Sequence, residues 1–278
     1  MSTLLDRYID VAEGRDTESF LAREVADITE VQGYEAAQDG TFRVLVPWSG
    51  GMDSTTLAWM GYDAGLPVVP VYVDTGAAYS DIERYLAVDL LEAPPAVIEL
   101  PTDYVKHGVI DLARNGVIMA AIAEWAARQG WWGHIWFGNG GDPGETTWRG
   151  GDKSFWFVHR MNVDLAEVGL DFTVQSPLIG LTKGDQVALW QRADMDAEYR
   201  KTLSCTSPVG GRHCRRCTSC AMRWLAWKEN RTDLWPDTDM LAPLRYLVEK
   251  REKQNLMKGR LAENQRNLIN RYAKERRT

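Results

Sequence analysis

The sequence predicts an α/β fold, a mostly parallel twisted sheet with helices on both faces, with a four-cysteine loop and helical extensions at each end. Three observations predict it. Short β-branched runs alternate with helical segments from residue 42 onward. The first of these runs, "FRVLV", shows no polar alternation beyond Arg43, as a strand covered on both faces requires. The runs end in glycines or capping residues just before the next helix, which is the rhythm of strand–helix–strand units joined by crossovers.

The elements follow in order. Residues 1–41 form a helical N-terminal extension, because Leu4, Leu5, Tyr8, Ile9 and later Phe20, Leu21, Val25, Ile28 recur at spacings of three and four. "AQDGT" at 37–41 stops it. The main domain occupies 42–232. After the first strand, 54–65 is a helix closed by Gly65, and "PVVPVYVD" (67–74) is the second strand. Pro70 argues against a central position for that strand. A helix over 80–93 has Ser80 as N-cap and Glu83 completing a capping box. Strands at 96–101, 134–142 and 171–180 follow, with a helix ending at Gly130 between the first two. A helix over 182–193 starts near Thr182. A basic helical C-terminal extension covers 233–278.

The 278 residues are 45% hydrophobic and 26% charged, enough for a sizeable core, and no apolar run reaches membrane-spanning length. The opening "MSTLLDRYIDVAEGRD" is acidic and broken by charge, unlike a secretory signal, so a cytoplasmic protein is expected. The net charge of −7 is uneven: from Leu241 to Thr278 there are 11 Lys plus Arg against 4 Glu, a net +7, and the remainder carries −14. Such an acidic body suits no broad phosphate track. The basic tail reads as a solvated helix with one apolar seam, or as a local contact for a macromolecular partner.

Two motifs carry chemistry. In "VLVPWSGGMDSTT" (44–56) an apolar strand runs into Gly50 and Gly51 and then into a helix start. Residues without Cβ let the backbone approach a ligand, and free amides at a helix N-terminus favour an anion. Trp48, Ser49, Gly50, Gly51, Met52, Asp53, Ser54 and Thr55 therefore form a candidate phosphate cradle, with Asp53 suited to a helix start or to Mg²⁺. Neither GxxxxGK with Ser or Thr nor GxGxxG is present. The second motif is Cys205, Cys214, Cys217 and Cys220, spaced C-x8-C-x2-C-x2-C and the only cysteines of the chain. Four thiolates close a tetrahedral Zn²⁺ site with no open position, hence a structural metal within a loop over 202–224. Arg212, Arg215 and Arg216 offset its negative charge, and His213 is an alternative ligand.

"SGGMDS" (49–54) resembles the signature of the PP-loop ATP pyrophosphatases, of the adenine nucleotide alpha-hydrolase-like fold. These split ATP between its α and β phosphates and adenylate an acceptor. "SPLIGLTKGD" (176–185) resembles their PLxxLxK element, whose lysine reaches the phosphates and would here be Lys183. Added to these, "TLSCTSPVGGRHCRRCTSCAMRWLAW" (202–227) resembles the 7-cyano-7-deazaguanine synthases of the QueC type, on Thr202, Ser204, Cys205, Cys214, Cys217, Ser219, Cys220 and Arg223. The resemblance covers about 43–230. It implies ATP, Mg²⁺ and Zn²⁺ as cofactors, 7-carboxy-7-deazaguanine and ammonia as substrates, and a homodimer. Lys183, Asp53 and Ser49 become the catalytic candidates, Asp74 a nucleotide or Mg²⁺ contact, and Asp142 and Arg149 the groups that recognise the acid, with Trp148 and Trp156 as stacking or packing residues.

The chain departs from the pattern in its two extensions and after the fourth strand. There "GNGGDPGETTWRGGDKSFW" keeps Gly138, Asp142 and Arg149 but lacks the Asp-Tyr-Ser-Gly-Tyr-Pro-Asp-Cys-Arg run. "DTGAAYSDIERY" is somewhat like adenylyl-sulfate reductases. Two rival readings stand beside the synthase. One is a QueC-like ligase that gives the activated acid to a protein or nucleic acid, as in phage modification or antiviral defence. The other is a zinc-knuckle RNA-binding protein with a basic arm. A tRNA thiolase usually needs a reactive cysteine near the loop, and none precedes Cys205.

Overall fold

A computed structural model describes residues 40–76, 80, 83–84, 95–100, 114–138, 155–178, 181–205, 207–254 and 263–275. Its centre is a five-stranded, wholly parallel sheet in the order β3-β2-β1-β4-β5. The strands are β1 (Phe42–Pro47), β2 (Val68–Asp74), β3 (Ala96–Glu99), β4 (Trp132–Trp136) and β5 (Phe172–Gln175). The helices with described bounds up to the cysteine loop are α1 (Met52–Asp63), α2 (Arg114–Arg128), α3 (Phe155–Glu167), α4 (Lys183–Arg192) and α5 (Asp196–Lys201). Beyond that loop lie α6 (Thr218–Glu229), α7 (Leu241–Gln254) and α8 (Glu263–Glu275). Among the described residues no helix is long and apolar enough to cross a membrane.

Alternate residues of β1 feed opposite cores, as the two-residue strand period demands. Val44 and Val46 face Leu57, Ala58 and Met60 of α1 and Leu189 of α4. Leu45 faces Met119, Ile122 and Ala126 of α2 and Met161 and Leu165 of α3. The sheet is therefore covered on both sides, which explains the unbroken apolar character of "FRVLV". A further cluster joins α6 to the C-terminal helices: Trp224, Leu225, Met240, Leu244, Leu247, Ile269 and Tyr272 are buried together. The Tyr272 ring lies 4.7 Å from that of Trp224, and its hydroxyl accepts from the Met240 amide at 3.2 Å. Apolar positions of the basic tail thus pack on the helix that follows the cysteines.

Several boundaries differ from expectation. Helix α1 begins at Met52, with Gly51 as N-cap, two residues before Ser54. Strand β4 starts at Trp132 and ends at Trp136, not over 134–142, and β3 and β5 are also shorter than their apolar runs. Helices α3 and α5 add to the expected elements. Ser80 is already helical, and its buried hydroxyl has no hydrogen-bond partner among the described residues, so it makes no cap there. Pro70 proves compatible with an interior strand. The Val44 amide donates to Pro67 O and the Trp48 amide to Val71 O, so odd-numbered β2 residues face β1 and Pro70 faces the β3 side. Pairing with β3 starts only at Val71, so the missing N–H falls before the described ladder between β2 and β3 begins. The segments 1–39 and most of 80–93 lie outside the described residues.

Candidate functional site

Strand β1 is flanked by β2 on one side and β4 on the other, so the chain reverses direction across the sheet at β1, where open α/β sheets form a crevice at the carboxyl ends of their strands. The glycine turn sits there. Gly50 has φ +67°, a conformation that favours glycine, and Gly138, just beyond β4, lies against the start of α1. A Cβ at Gly138 would stand 2.9 Å from Asp53 Cβ.

Within the turn, Ser54 Oγ donates to Gly51 O at 3.2 Å and lies 3.4 Å from Ser49 Oγ, while the Ser49 amide points to it at 3.4 Å. These hydroxyls and amides gather within one short turn of backbone. The Met52 side chain is buried with Val187, Trp190, Tyr199 and Trp227, so only its backbone serves the turn. Thr55 and Trp48 are buried, and Thr55 Oγ1 and Trp48 Nε1 lack hydrogen-bond partners among the described residues.

Lys183 arrives from α4. Thr182 is the N-cap, and Thr182 and Asp185 form a reciprocal capping box, which fixes Lys183 as the first helical residue. Lys183 Nζ bonds Asp53 Oδ1, in the first turn of α1. Two helix N-termini, each with a partial positive charge, are thereby joined by a cation and a carboxylate. Gln186 Nε2 also donates to Asp53 Oδ1 at 2.8 Å. Gln186 Oε1 accepts from the Tyr199 hydroxyl at 3.1 Å, and Tyr199 stacks on Trp190 at 4.8 Å. Burial pushes the Tyr199 hydroxyl far above its ordinary pKa, so it stays a neutral donor. Sequence reasoning missed Gln186, although it lies one turn after Lys183 and so shares its face.

The four cysteine Sγ atoms lie within 4.8 Å of one another, with Cys205–Cys217 at 4.0 Å and Cys214–Cys220 at 3.9 Å. A tetrahedron with metal–sulfur bonds of about 2.3 Å has edges of about 3.8 Å, so the donor set fits one tetrahedral ion. The local chain is shaped for it. Val209 and Arg212 pair in both directions around Gly210 and Gly211, both at positive φ, as in a two-residue hairpin. Arg215 adopts φ +57° between Cys214 and Cys217. Amides of Cys214, Arg216 and Cys220 point at the sulfurs of Cys205, Cys214 and Cys217, at 3.3–3.4 Å. Burial and the neighbouring Cys217 and Cys205 sulfurs raise the Cys220 thiol; a bound cation reverses that penalty. His213 stands outside the tetrad: its Nε2 meets Thr202 O at 3.1 Å and its Nδ1 lies 3.7 Å from Cys220 Sγ.

The cysteine loop also touches the glycine turn. The Leu203 amide donates to Gly50 O at 2.9 Å, and the Met52 amide points to Ser204 Oγ at 3.3 Å. Arg223, fully buried on α6, donates to Thr202 Oγ1 at 2.7 Å and to the carbonyls of Tyr199 and Arg200. Desolvation lowers its pKa to about 10, still leaving it cationic at neutral pH.

Among the other expected site residues, the side chain of Asp74 is described and those of Asp142, Trp148, Arg149 and Trp156 are not. Asp74 ends β2, accepts from the Gly76 amide at 2.8 Å and lies 4.0 Å from Arg84. Asp142, Trp148 and Arg149 are outside the described residues, and Trp156 falls in the first turn of α3 with its side chain likewise not described.

Comparison with known proteins adds the lineage. A 7-cyano-7-deazaguanine synthase of Myxococcus xanthus is 30% identical over 217 residues, covering 67% of this chain and 93% of that one. A second synthase, from Anaeromyxobacter dehalogenans, is 38% identical over 55 residues, 20% of this chain and 23% of its own length. A third, from Rickettsia rickettsii, is 33% identical over 79 residues, 28% of this chain and 34% of its own. The solved NAD⁺ synthetase of Burkholderia pseudomallei aligns over 92% of this chain and 98% of its own at 16% identity and a TM-score of 0.36, too weak a likeness to carry any argument. The family model "Queuosine biosynthesis protein QueC" matches residues 92–231, a stretch that begins after the glycine turn but holds Lys183 and all four cysteines. With half of the sequence matched by that model and nearly the whole of the Myxococcus relative aligned, the chain belongs to the QueC family.

Proposed function

We propose that this protein is an AMP-forming carbon–nitrogen ligase that converts 7-carboxy-7-deazaguanine and ammonia, through the amide, into 7-cyano-7-deazaguanine. The observation that carries the reading is the meeting of Lys183 and Asp53 at two converging helix N-termini beside the glycine turn. Such a place suits a polyanion that gains charge as a bond to it breaks.

In the first step a carboxylate oxygen of the acid attacks the α-phosphorus of ATP, and the bond to the bridging oxygen breaks to release diphosphate. Ser49, Gly50, Gly51, Met52, Ser54 and Thr55 cradle the departing group through amides and hydroxyls. Trp48 packs under the cradle. Lys183 meets the charge that develops on the phosphates, and Gln186 keeps Asp53 aimed at Lys183. Ammonia then attacks the acyl carbon, AMP leaves with the former carboxylate oxygen, and one proton is lost to give the amide. A second ATP is attacked by the amide oxygen. Diphosphate leaves again, and loss of both protons from nitrogen with departure of AMP, which carries off the former carbonyl oxygen, leaves the nitrile. Positioning and charge stabilisation supply most of the catalysis in such transfers.

Mg²⁺ would neutralise the phosphates; Asp53 would hold it, since Lys183 and Gln186 both engage Oδ1 rather than Oδ2. Zn²⁺ at Cys205, Cys214, Cys217 and Cys220 would order the loop and do no chemistry, because a closed four-thiolate set leaves no position for substrate. Asp74 would contact nucleotide or Mg²⁺, and Asp142 and Arg149 the deazaguanine ring and its carboxylate. We place the protein in the cytoplasm, as a homodimer of the unit 42–232 with extensions at 1–41 and 233–278. A second reading, transfer of the activated acid to a macromolecular acceptor, draws on the C-terminal helices that pack against α6 beside the cysteine loop. Incubation with ATP, the acid and ammonium, followed by product mass, separates them. Nitrile with AMP supports the synthase, whereas amide alone or a modified macromolecule supports the second reading.

A further inference from the structure

The segment Thr202–Cys205 is anchored at every residue, and its anchors lead in two directions. Thr202 is buried. Its hydroxyl receives Arg223 Nη1 at 2.7 Å and donates to Tyr199 O at 2.7 Å. The Leu203 amide donates to Gly50 O, and Cys205 belongs to the thiol tetrad. Ser204, between them, is half-buried and receives the Met52 amide. That amide is the first of α1, whose N-cap Gly51 has no side chain to cap it, so the hydroxyl comes from 152 residues away. The distance of 3.3 Å is at the long end for an N–H···O bond, and so is readily exchanged for a charged acceptor. A serine hydroxyl that accepts from an amide still has its own proton to give. No acceptor for that proton is found among the described residues.

We propose that Ser204 is a binding residue for the nucleotide's diphosphate, delivered to the phosphate cradle by the metal-bound loop. The idea rests on the glycine turn holding diphosphate. With the anion in place, the Met52 amide turns to it and the Ser204 hydroxyl donates to a second phosphoryl oxygen. Cys205 on one side and Thr202, held by Arg223, on the other keep the hydroxyl from swinging away. The cysteine loop is then part of the nucleotide site's wall, and a metal at the tetrad, by ordering that loop, would set the affinity for phosphate.

The test is calorimetric titration of inorganic diphosphate and of α,β-methylene-ATP into the zinc-loaded full chain and its Ser204→Ala and Ser204→Thr variants, with zinc content and Tm measured on each. We expect Ser204→Ala to bind both ligands about tenfold or more weakly, from loss of one hydrogen bond to a charged group. Zinc stoichiometry should be unchanged, and Ser204→Thr should restore most of the affinity. Equal affinity of wild type and Ser204→Ala overturns the proposal while leaving the cradle intact. Loss of zinc together with affinity, without rescue by threonine, also overturns it, since the role is then structural. Absence of diphosphate binding by the wild type overturns both this proposal and the cradle.

Discussion

Lys183 and Asp53 are 130 residues apart in sequence and in direct contact in space, where the first turns of α4 and α1 meet. A lysine at a helix N-terminus opposes the dipole, and the carboxylate offsets only part of that cost. The arrangement makes sense around an anion. Lys183→Ala should lower AMP formation by about 10²–10³-fold, the range for removal of one charge-stabilising donor. The fold and zinc content should persist. A turnover assay paired with metal analysis checks this; unchanged turnover removes the lysine from the mechanism.

Gly138 bears on the same turn from β4. An added Cβ would lie 2.9 Å from Asp53 Cβ and 3.4 Å from the Ser54 amide nitrogen. Backbone at the head of α1 must then shift by tenths of an ångström, which misplaces Asp53 and the turn. Gly138→Ala should therefore cost about 10²-fold in turnover while Tm falls by only a few degrees. Full activity in this variant would show that the turn tolerates movement and is no close-fitting cradle.

The strand–turn–helix at 42–63 and the four cysteines were legible because each is local: periodicity, glycine pairs and thiol spacing survive in a linear string. Pro70 misled, because whether a missing N–H matters depends on where the neighbouring strand starts, and β3 starts one residue late. Ser80 misled because burial, not capping, claims its hydroxyl. The Gln186–Asp53 and Ser204–Met52 pairings were not legible, although the helical spacing from Lys183 places Gln186 on the same face. Each joins segments more than 130 residues apart, and nothing in the local pattern of either marks the pairing.

The cysteine tetrad should govern stability rather than chemistry. Cys214→Ser removes one ligand from a loop whose glycine-rich hairpin packs little core of its own. Zinc content should fall well below one per chain and Tm by roughly 10 °C or more. Thermal scans with metal analysis read both. A variant that keeps its Tm while losing zinc would detach the metal from the fold.

Acid sensitivity should trace in part to His134 on β4. Burial against β1, with the Phe42 ring 5.5 Å away, pushes its pKa down to about 4. Between pH 6.5 and about 4 the unfolded chain therefore takes up a proton that the folded chain refuses, so stability present above pH 6.5 is lost as pH falls through that window. Glu83 acts in the opposite sense: burial raises it to about 7, and its contribution is lost as pH rises from 4.5 to 7. His134→Leu should flatten the decline of urea midpoints from pH 6.5 to 4.5, and Glu83→Gln should steepen it. Parallel profiles for all three proteins would contradict both assignments.

We propose that the glycine turn and Lys183 together hold the diphosphate that leaves when an acid is adenylated. Exchange of labelled diphosphate into ATP, measured with 7-carboxy-7-deazaguanine present and ammonium withheld, tests it most directly. Exchange should require the acid, disappear in Lys183→Ala, and be accompanied by AMP rather than ADP once ammonium is added. Formation of ADP and inorganic phosphate, or no exchange under any of these conditions, would contradict it.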